Sequence, residues 1–159
     1  MKFKRILVPT DFSSNAQLAF DAAYALARAT MAELYVFHVA ENPLRTAVKE
    51  NLMHRGISQV EIEERVDELQ DARFAEVTAG LEPDVSVHCH TRQGVPQVEI
   101  VEFAQEKEAD LMVIGLRGRS AVNTARAALM GSVAEAMIRK SPCPVLVVRP
   151  DHEVSRTIS

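Results

Sequence analysis

Gly115-Leu116-Arg117-Gly118 and, further on, Gly131-Ser132 are the residues whose types and spacing point most directly to chemistry. Glycine lets backbone N–H groups approach a ligand with no Cβ in the way. A Gly-Ser pair opening a helical pattern offers unpaired first-turn N–H groups and a hydroxyl to an anion. Arg117, Arg119 and Arg126 place three cations in this stretch of a chain whose net charge is −4. Together these residues read as a phosphate cradle. They suit equally a glycine-bearing surface loop followed by an N-capped helix, so the segment alone leaves both readings open. It is neither a P-loop nor a dinucleotide fingerprint, because G-x-x-x-x-G-K-[ST] and G-x-G-x-x-G are both absent.

Other reactive side chains carry weaker signals. Asp11 stands just past an apolar run, where its carboxylate could accept from a ligand's donor groups. It could equally link to its own backbone ahead of a helix cap. His88 and His90 share a strand face as metal ligands could, but no third ligand accompanies them and an edge strand accounts for both. His38 suits packing at a strand end. Cys143, between two prolines, reads as a small buried hydrophobe with nothing to lower its thiol pKa. No G-x-S-x-G occurs and no His is placed near Ser132, so nucleophilic catalysis has no support.

These residues need a scaffold, and the hydrophobic pattern supplies one. Ile6-Leu7-Val8 and Leu111-Met112-Val113-Ile114 are continuous apolar runs, expected of parallel strands covered on both faces. The first is expected to stop at Pro9, which has no N–H for a central ladder. Ser14 opens an alanine-rich helix to Thr30, with Gln17 completing a capping box. Glu33–Ala40 reads as the second strand, and residues 41–58, broken by Pro43 and Gly56, as irregular. Gln59–Leu81 reads as a helix with one apolar face (Ile62, Val66, Leu69, Phe74, Val77, Leu81) and one acidic, solvated face. Asp84–Thr91 alternates like an edge strand, Pro96 opens a helix at its first turn, Ser132–Lys140 is a helix, and Val145–Val148 is the fifth strand. Alternation of this kind predicts a parallel α/β sheet with right-handed crossovers and ligands beyond the carboxyl ends of the strands.

Length and composition agree. With 159 residues, 47% of them hydrophobic and 25% charged, the chain suits one globular domain over 1–150 with a polar tail over 151–159. Net negative charge gives no general attraction to nucleic acid or anionic membrane. Two cysteines make no disulfide framework, and three apolar residues before Pro9 are too few for a signal peptide, so a cytoplasmic location is expected.

Taken together, Val8-Pro9-Thr10-Asp11-Phe12-Ser13, His38-Val39, Ala109-Asp110-Leu111-Met112-Val113-Ile114-Gly115, Gly131-Ser132-Val133, and Ser141-Pro142-Cys143-Pro144 before Val145-Leu146-Val147-Val148 resemble the universal stress protein family. The resemblance covers about Lys4 to Arg149 in the family's order. It implies an open five-stranded parallel sheet of order 3-2-1-4-5 with helices on both faces, adenine nucleotide alpha hydrolase-like, and a homodimer. In the family's ATP-binding branch, Pro9, Thr10 and Asp11 would line the adenosine pocket and Val39 would meet adenine through its backbone. Ile114, Gly115, Arg117, Gly118, Gly131, Ser132 and Val133 would surround ribose and phosphates. One departure stands out: twelve residues separate Gly118 from Gly131 where the family pattern has nine.

The reading that follows is an ATP-binding homodimeric regulator of the stress response, with an unidentified protein partner and Mg²⁺ only as a companion of the phosphates. Hydrolysis should be slow at most, since phosphate anchors come without an obvious base to position water. Val145, Leu146, Val147 and Val148 would form an exposed hydrophobic edge in a monomer, and pairing across a two-fold axis would remove it. A second reading keeps the fold as a dimeric interaction module whose long loop blocks the nucleotide. A third, an adenylating enzyme, ranks last because Pro9–Ser14 contains no glycine.

Overall fold

The structure, a computed structural model, describes residues 2–40, 46–118 and 130–150. Five strands, β1 (Arg5–Thr10), β2 (Glu33–Ala40), β3 (Val87–Gln93), β4 (Leu111–Gly115) and β5 (Val145–Val148), form one sheet of order β3-β2-β1-β4-β5. All four pairings are parallel. The helices are α1 (Ser14–Thr30), α2 (Thr46–His54), α3 (Gln59–Val77), α4 (Pro96–Glu106) and α5 (Ser132–Lys140). The architecture is the expected one, an α/β fold of the adenine nucleotide alpha hydrolase-like kind.

The continuous apolar runs are explained by burial on both sides. Ile6 and Val8 of β1 pack with Ala19, Phe20, Ala23 and Ala27 of α1 and Phe74 of α3, while Leu7 packs with Ile100, Phe103, Ala134 and Met137 of α4 and α5. Alternate residues of a strand point to opposite faces, so α1 and α3 cover one side and α4 and α5 the other. Alanines along α1 keep its axis close to the sheet.

β1 does not end at Pro9 as expected; it runs on to Thr10, and Pro9 is in register with Phe37 of β2. Its pairing with β4 covers only Ile6↔Leu111 and Leu7↔Met112. From Val8 onward β1 is therefore held by β2 alone, and a residue without an N–H is tolerated there. The parting of β1 from β4 opens the crevice at the point where the strand order reverses, the usual ligand position in open α/β sheets.

Three local expectations are corrected. The α1 cap is Ser13, whose Oγ accepts from Ala16 N at 3.2 Å, and not Ser14. The stretch taken as irregular contains α2, whose charges and weak apolar periodicity hide a helix. β3 starts three residues later than the alternation suggests, at Val87, because Asp84 to Ser86 form the approach to the strand. The start of α3 at Gln59 matches expectation and is sealed by a capping box between Ser58 and Glu61. Its apolar face is less covered than the periodicity implies: Ile62 and Phe74 are buried, whereas Leu69 is 64% exposed.

Candidate functional site

The carboxyl end of β1 is a turn tied to itself by side-chain hydrogen bonds. Thr10, 7% exposed, accepts at Oγ1 from Phe12 N at 3.0 Å. Asp11 accepts at Oδ1 from Ser13 N at 3.0 Å, the Asx link foreseen for it. The His38 ring at the end of β2 contributes a third bond. Its Nδ1 lies 2.8 Å from the Thr10 carbonyl oxygen, which can only accept, so Nδ1 carries the proton. With the turn held this way, the second Asp11 oxygen faces the β4 loop: a Cβ built on Gly118 would lie 2.7 Å from Asp11 Oδ2.

The glycines of that loop have different reasons to be glycine. A Cβ on Gly115 would meet the Asn15 carbonyl oxygen at 2.7 Å, so Gly115 lets the first turn of α1 rest against the end of β4. Gly118 makes room for Asp11. Gly131 lies beside Gly118, its ideal Cβ 3.4 Å from Gly118 N and from Arg117 Cα, and its own N–H donates to the Leu116 carbonyl at 2.9 Å. Leu116 is fixed in turn by donating to Val148 O at 3.0 Å. The loop thus leaves and returns at one point, and the three residues beyond the family spacing do not part its two glycine anchors. Arg119 and Arg126, and the residues 119–129 that hold the surplus, lie outside the described residues.

Gly131 is also the N-cap of α5 and gives that helix no side-chain cap. The first-turn N–H groups of Ser132 and Val133 therefore face outward beside Gly118, where the helix dipole favours negative charge. The Arg117 backbone adjoins Gly131, and among the described residues its Nε is the buried side-chain nitrogen or oxygen atom with no hydrogen-bond partner. Buried donors are rarely left so, and each one needs an explanation such as an absent ion. Uncapped helix, adjoining glycine backbones and unsatisfied guanidinium nitrogen together fit a phosphate group.

On the other side of Asp11, β2 runs past β1. Thr10↔His38 is the last pair, so Val39 and Ala40 are in register with β3 alone. Their backbone edge toward β1 has no strand on it. The Val39 side chain itself is buried, and so is that of Ile114, which packs in the α4–α5 core. Any contact from these two is through backbone. Pro9, Thr10, Asp11, Gly115, Arg117, Gly118, Gly131, Ser132 and Val133 are thus gathered at the ends of β1 and β4.

Phe12, part of the 8–13 stretch but given no role from sequence, sits in the middle of the turn with φ 61°. No residue pattern forecasts a phenylalanine in the left-handed region.

The weaker candidates have structural explanations. His88 and His90 both stack on Tyr35, with centroids 4.9 and 6.2 Å away, and His88 Nε2 lies 3.5 Å from Glu33. No group of three metal-ligating side chains occurs among the described residues. Burial pushes the Cys143 thiol above its ordinary value, the opposite of activation. No helix among the described residues is long and apolar enough to cross a membrane.

Comparisons with known proteins agree with this geometry. Universal stress protein MJ0531 of Methanocaldococcus jannaschii is 35% identical over 147 residues, 92% of this chain and 82% of its own. The solved structure of MJ0577 from the same organism superposes with a TM-score of 0.76 at 29% identity, covering 96% of this chain and 99% of that one. A universal stress protein of Archaeoglobus fulgidus, solved in complex with dAMP, shares the fold at 24% identity and a TM-score of 0.55, covering 92% and 98%. The profile of the universal stress protein family matches residues 2–149, and this chain belongs to that family.

Proposed function

We propose that the chain binds an adenine nucleotide, ATP fitting best, across the carboxyl ends of β1, β2 and β4. The observation that carries this is the meeting of Gly118 and Gly131 at the uncapped start of α5, against the backbone of Arg117, whose buried Nε has no partner. Adenine would lie along the unpaired backbone edge of Val39, ribose near Thr10 and Asp11, and the phosphates against Gly118, Gly131, Ser132 and Val133. The A. fulgidus relative described with dAMP supports an adenine nucleotide as the ligand class. Mg²⁺, where present, would travel with the phosphates and screen them from Asp11.

The nucleotide acts as a regulatory ligand. Of the site residues, Asp11 alone could serve as a base, and one of its oxygens already accepts from Ser13; hydrolysis is therefore slow at most. The chain works as a homodimer joined along β5, where Leu146 is 40% exposed on a free sheet edge, and an unidentified protein reads its state in the cytoplasm.

Thermal melting with ATP, ADP and AMP tests the reading. Ligand at 100 times its Kd adds about 2.7 kcal/mol, and each kcal/mol raises the melting temperature by roughly 2–4 °C in a chain of this size. Absence of a shift with all three overturns nucleotide binding and leaves a dimeric interaction module.

A further inference from the structure

Phe12 links the turn after β1 directly to α3. Its backbone, at φ 61°, lies between Asp11 and the helix cap Ser13, and bulky L-residues seldom adopt that region unless their surroundings hold them there. Its N–H donates to Thr10 Oγ1. Its ring packs on His38 at 4.6 Å, meets Phe74 edge-on at 5.2 Å, and lies beneath the Arg73 guanidinium at 5.5 Å. Phe74 and Arg73 belong to α3. Phe74, with Val77 and Leu81 packed around the same core cluster, is how the carboxyl half of α3 reaches the sheet. Ile62 is also buried near the start of α3, while Val60 and, past the midpoint, Leu69 face solvent.

The four-residue turn 10–13 therefore carries the ribose-side candidates Thr10 and Asp11 on one side and the docking platform of α3 on the other. A ligand that engages Thr10 or Asp11 acts on the same backbone that holds the Phe12 ring in place. Holding that turn has an ordering cost, and whichever of ligand or helix binds first reduces it for the other.

We propose that nucleotide occupancy and docking of α3 are energetically coupled through Phe12, so that the bound ligand tightens α3 on the sheet and sets the position of its acidic outer face, Glu63, Glu64, Asp67 and Asp71. This inference rests on the nucleotide reading above. Coupling of this sort is reciprocal: the factor by which ligand favours the docked helix equals the factor by which the docked helix favours ligand.

Hydrogen exchange and calorimetric titration with ATP, both on the full chain, test it. With ATP bound, amides of residues 70–78 slow about tenfold more than those of α4, a value within the usual range of coupling. Phe12→Gly accepts φ 61° without strain and removes the ring; it still binds ATP, more weakly, and loses the extra slowing in α3. Phe74→Leu loosens the docked helix while keeping an apolar contact, and its ATP affinity falls, by no more than the factor by which ATP slows α3 in the parent chain. If Phe12→Gly does not fold, Phe74→Leu carries the comparison alone. Binding heat with α3 exchange no slower than that of α4 overturns the coupling and leaves the nucleotide reading standing. Absence of binding heat in the parent chain overturns both.

Discussion

The carboxylate of Asp11 occupies the space that a side chain on residue 118 would fill, its Oδ2 only 2.7 Å from an ideal Cβ there. An acidic group at the end of β1 and a backbone turn after β4 are thereby brought against one another across the crevice, 107 residues apart in sequence. The relationship gives Gly118 a reason to be glycine that does not depend on a ligand, and it brings Asp11 to the edge of the proposed phosphate cradle.

Replacing the loop glycines one at a time should separate fold from site. Gly118→Ala meets only the end of a movable side chain, so stability should change by less than about 1 kcal/mol while Asp11 is displaced and ATP affinity falls. Gly115→Ala meets the main chain of Asn15 and must shift α1, an overpacking cost of about 1–3 kcal/mol. Gly131→Ala, with nothing among the described residues closer than 3.4 Å to its ideal Cβ and an ordinary φ of −65°, should fold as the parent does. Thermal melts and ATP titrations of the three variants give the comparison, and equal destabilisation by all three would refute it.

Arg117→Leu should lower ATP affinity at least about tenfold, because a charged hydrogen bond to phosphate contributes about 1.5–3 kcal/mol. Stability without ligand should hold or rise, since the substitution removes a buried donor that has no partner. A variant that binds ATP normally would place the phosphates elsewhere.

The element pattern was legible wherever burial is two-sided or a breaker is sharp. β2, α5 and β5 fall on the residues that composition indicates, since Glu33–Ala40 and Val145–Val148 are apolar runs with polar borders and Gly131 precedes a short amphipathic helix. The strand order came from the resemblance to a family and not from periodicity, which cannot say which strands are neighbours. α2 was hidden because its sequence carries no strong apolar stripe; of Glu50 to His54, only Leu52 is not exposed. Leu69 misled in the other direction: it keeps the period of a buried face, but α3 buries Ile62 and Phe74 and leaves Leu69 between them in solvent. At the site, Asp11, Gly118 and Gly131 were visible as residue types, whereas the reason for each lies in contacts between distant segments.

The β5 edge offers a test of assembly. Leu146→Lys places a charge at the centre of the strand proposed to pair with its copy, and sedimentation should show a shift from dimer to monomer. Leu146 is already 40% exposed in the single chain, so the substitution should change monomer stability by only about 0.5 kcal/mol. An unchanged sedimentation coefficient would remove β5 from the interface.

Acid should weaken the packing of β3 on α4 through His90. Its ring lies 5.2 Å from Phe103 and 6.2 Å from Tyr35. Burial pushes its pKa below the ordinary 6.5, Lys107, His88 and Arg92 push in the same direction, and Glu106 opposes them. A histidine whose folded pKa is depressed binds fewer protons in the fold than in the unfolded chain. Its stabilising effect is complete above about pH 6.5 and is lost as the pH falls through the folded value. The melting temperature should therefore decline between about pH 7 and 5 more steeply for the parent chain than for His90→Gln, where the titrating group is gone. A proton NMR titration should place the His90 midpoint below 6.5; a midpoint at or above that value, or parallel pH profiles for the two chains, would show that the ring is not held neutral by its neighbours.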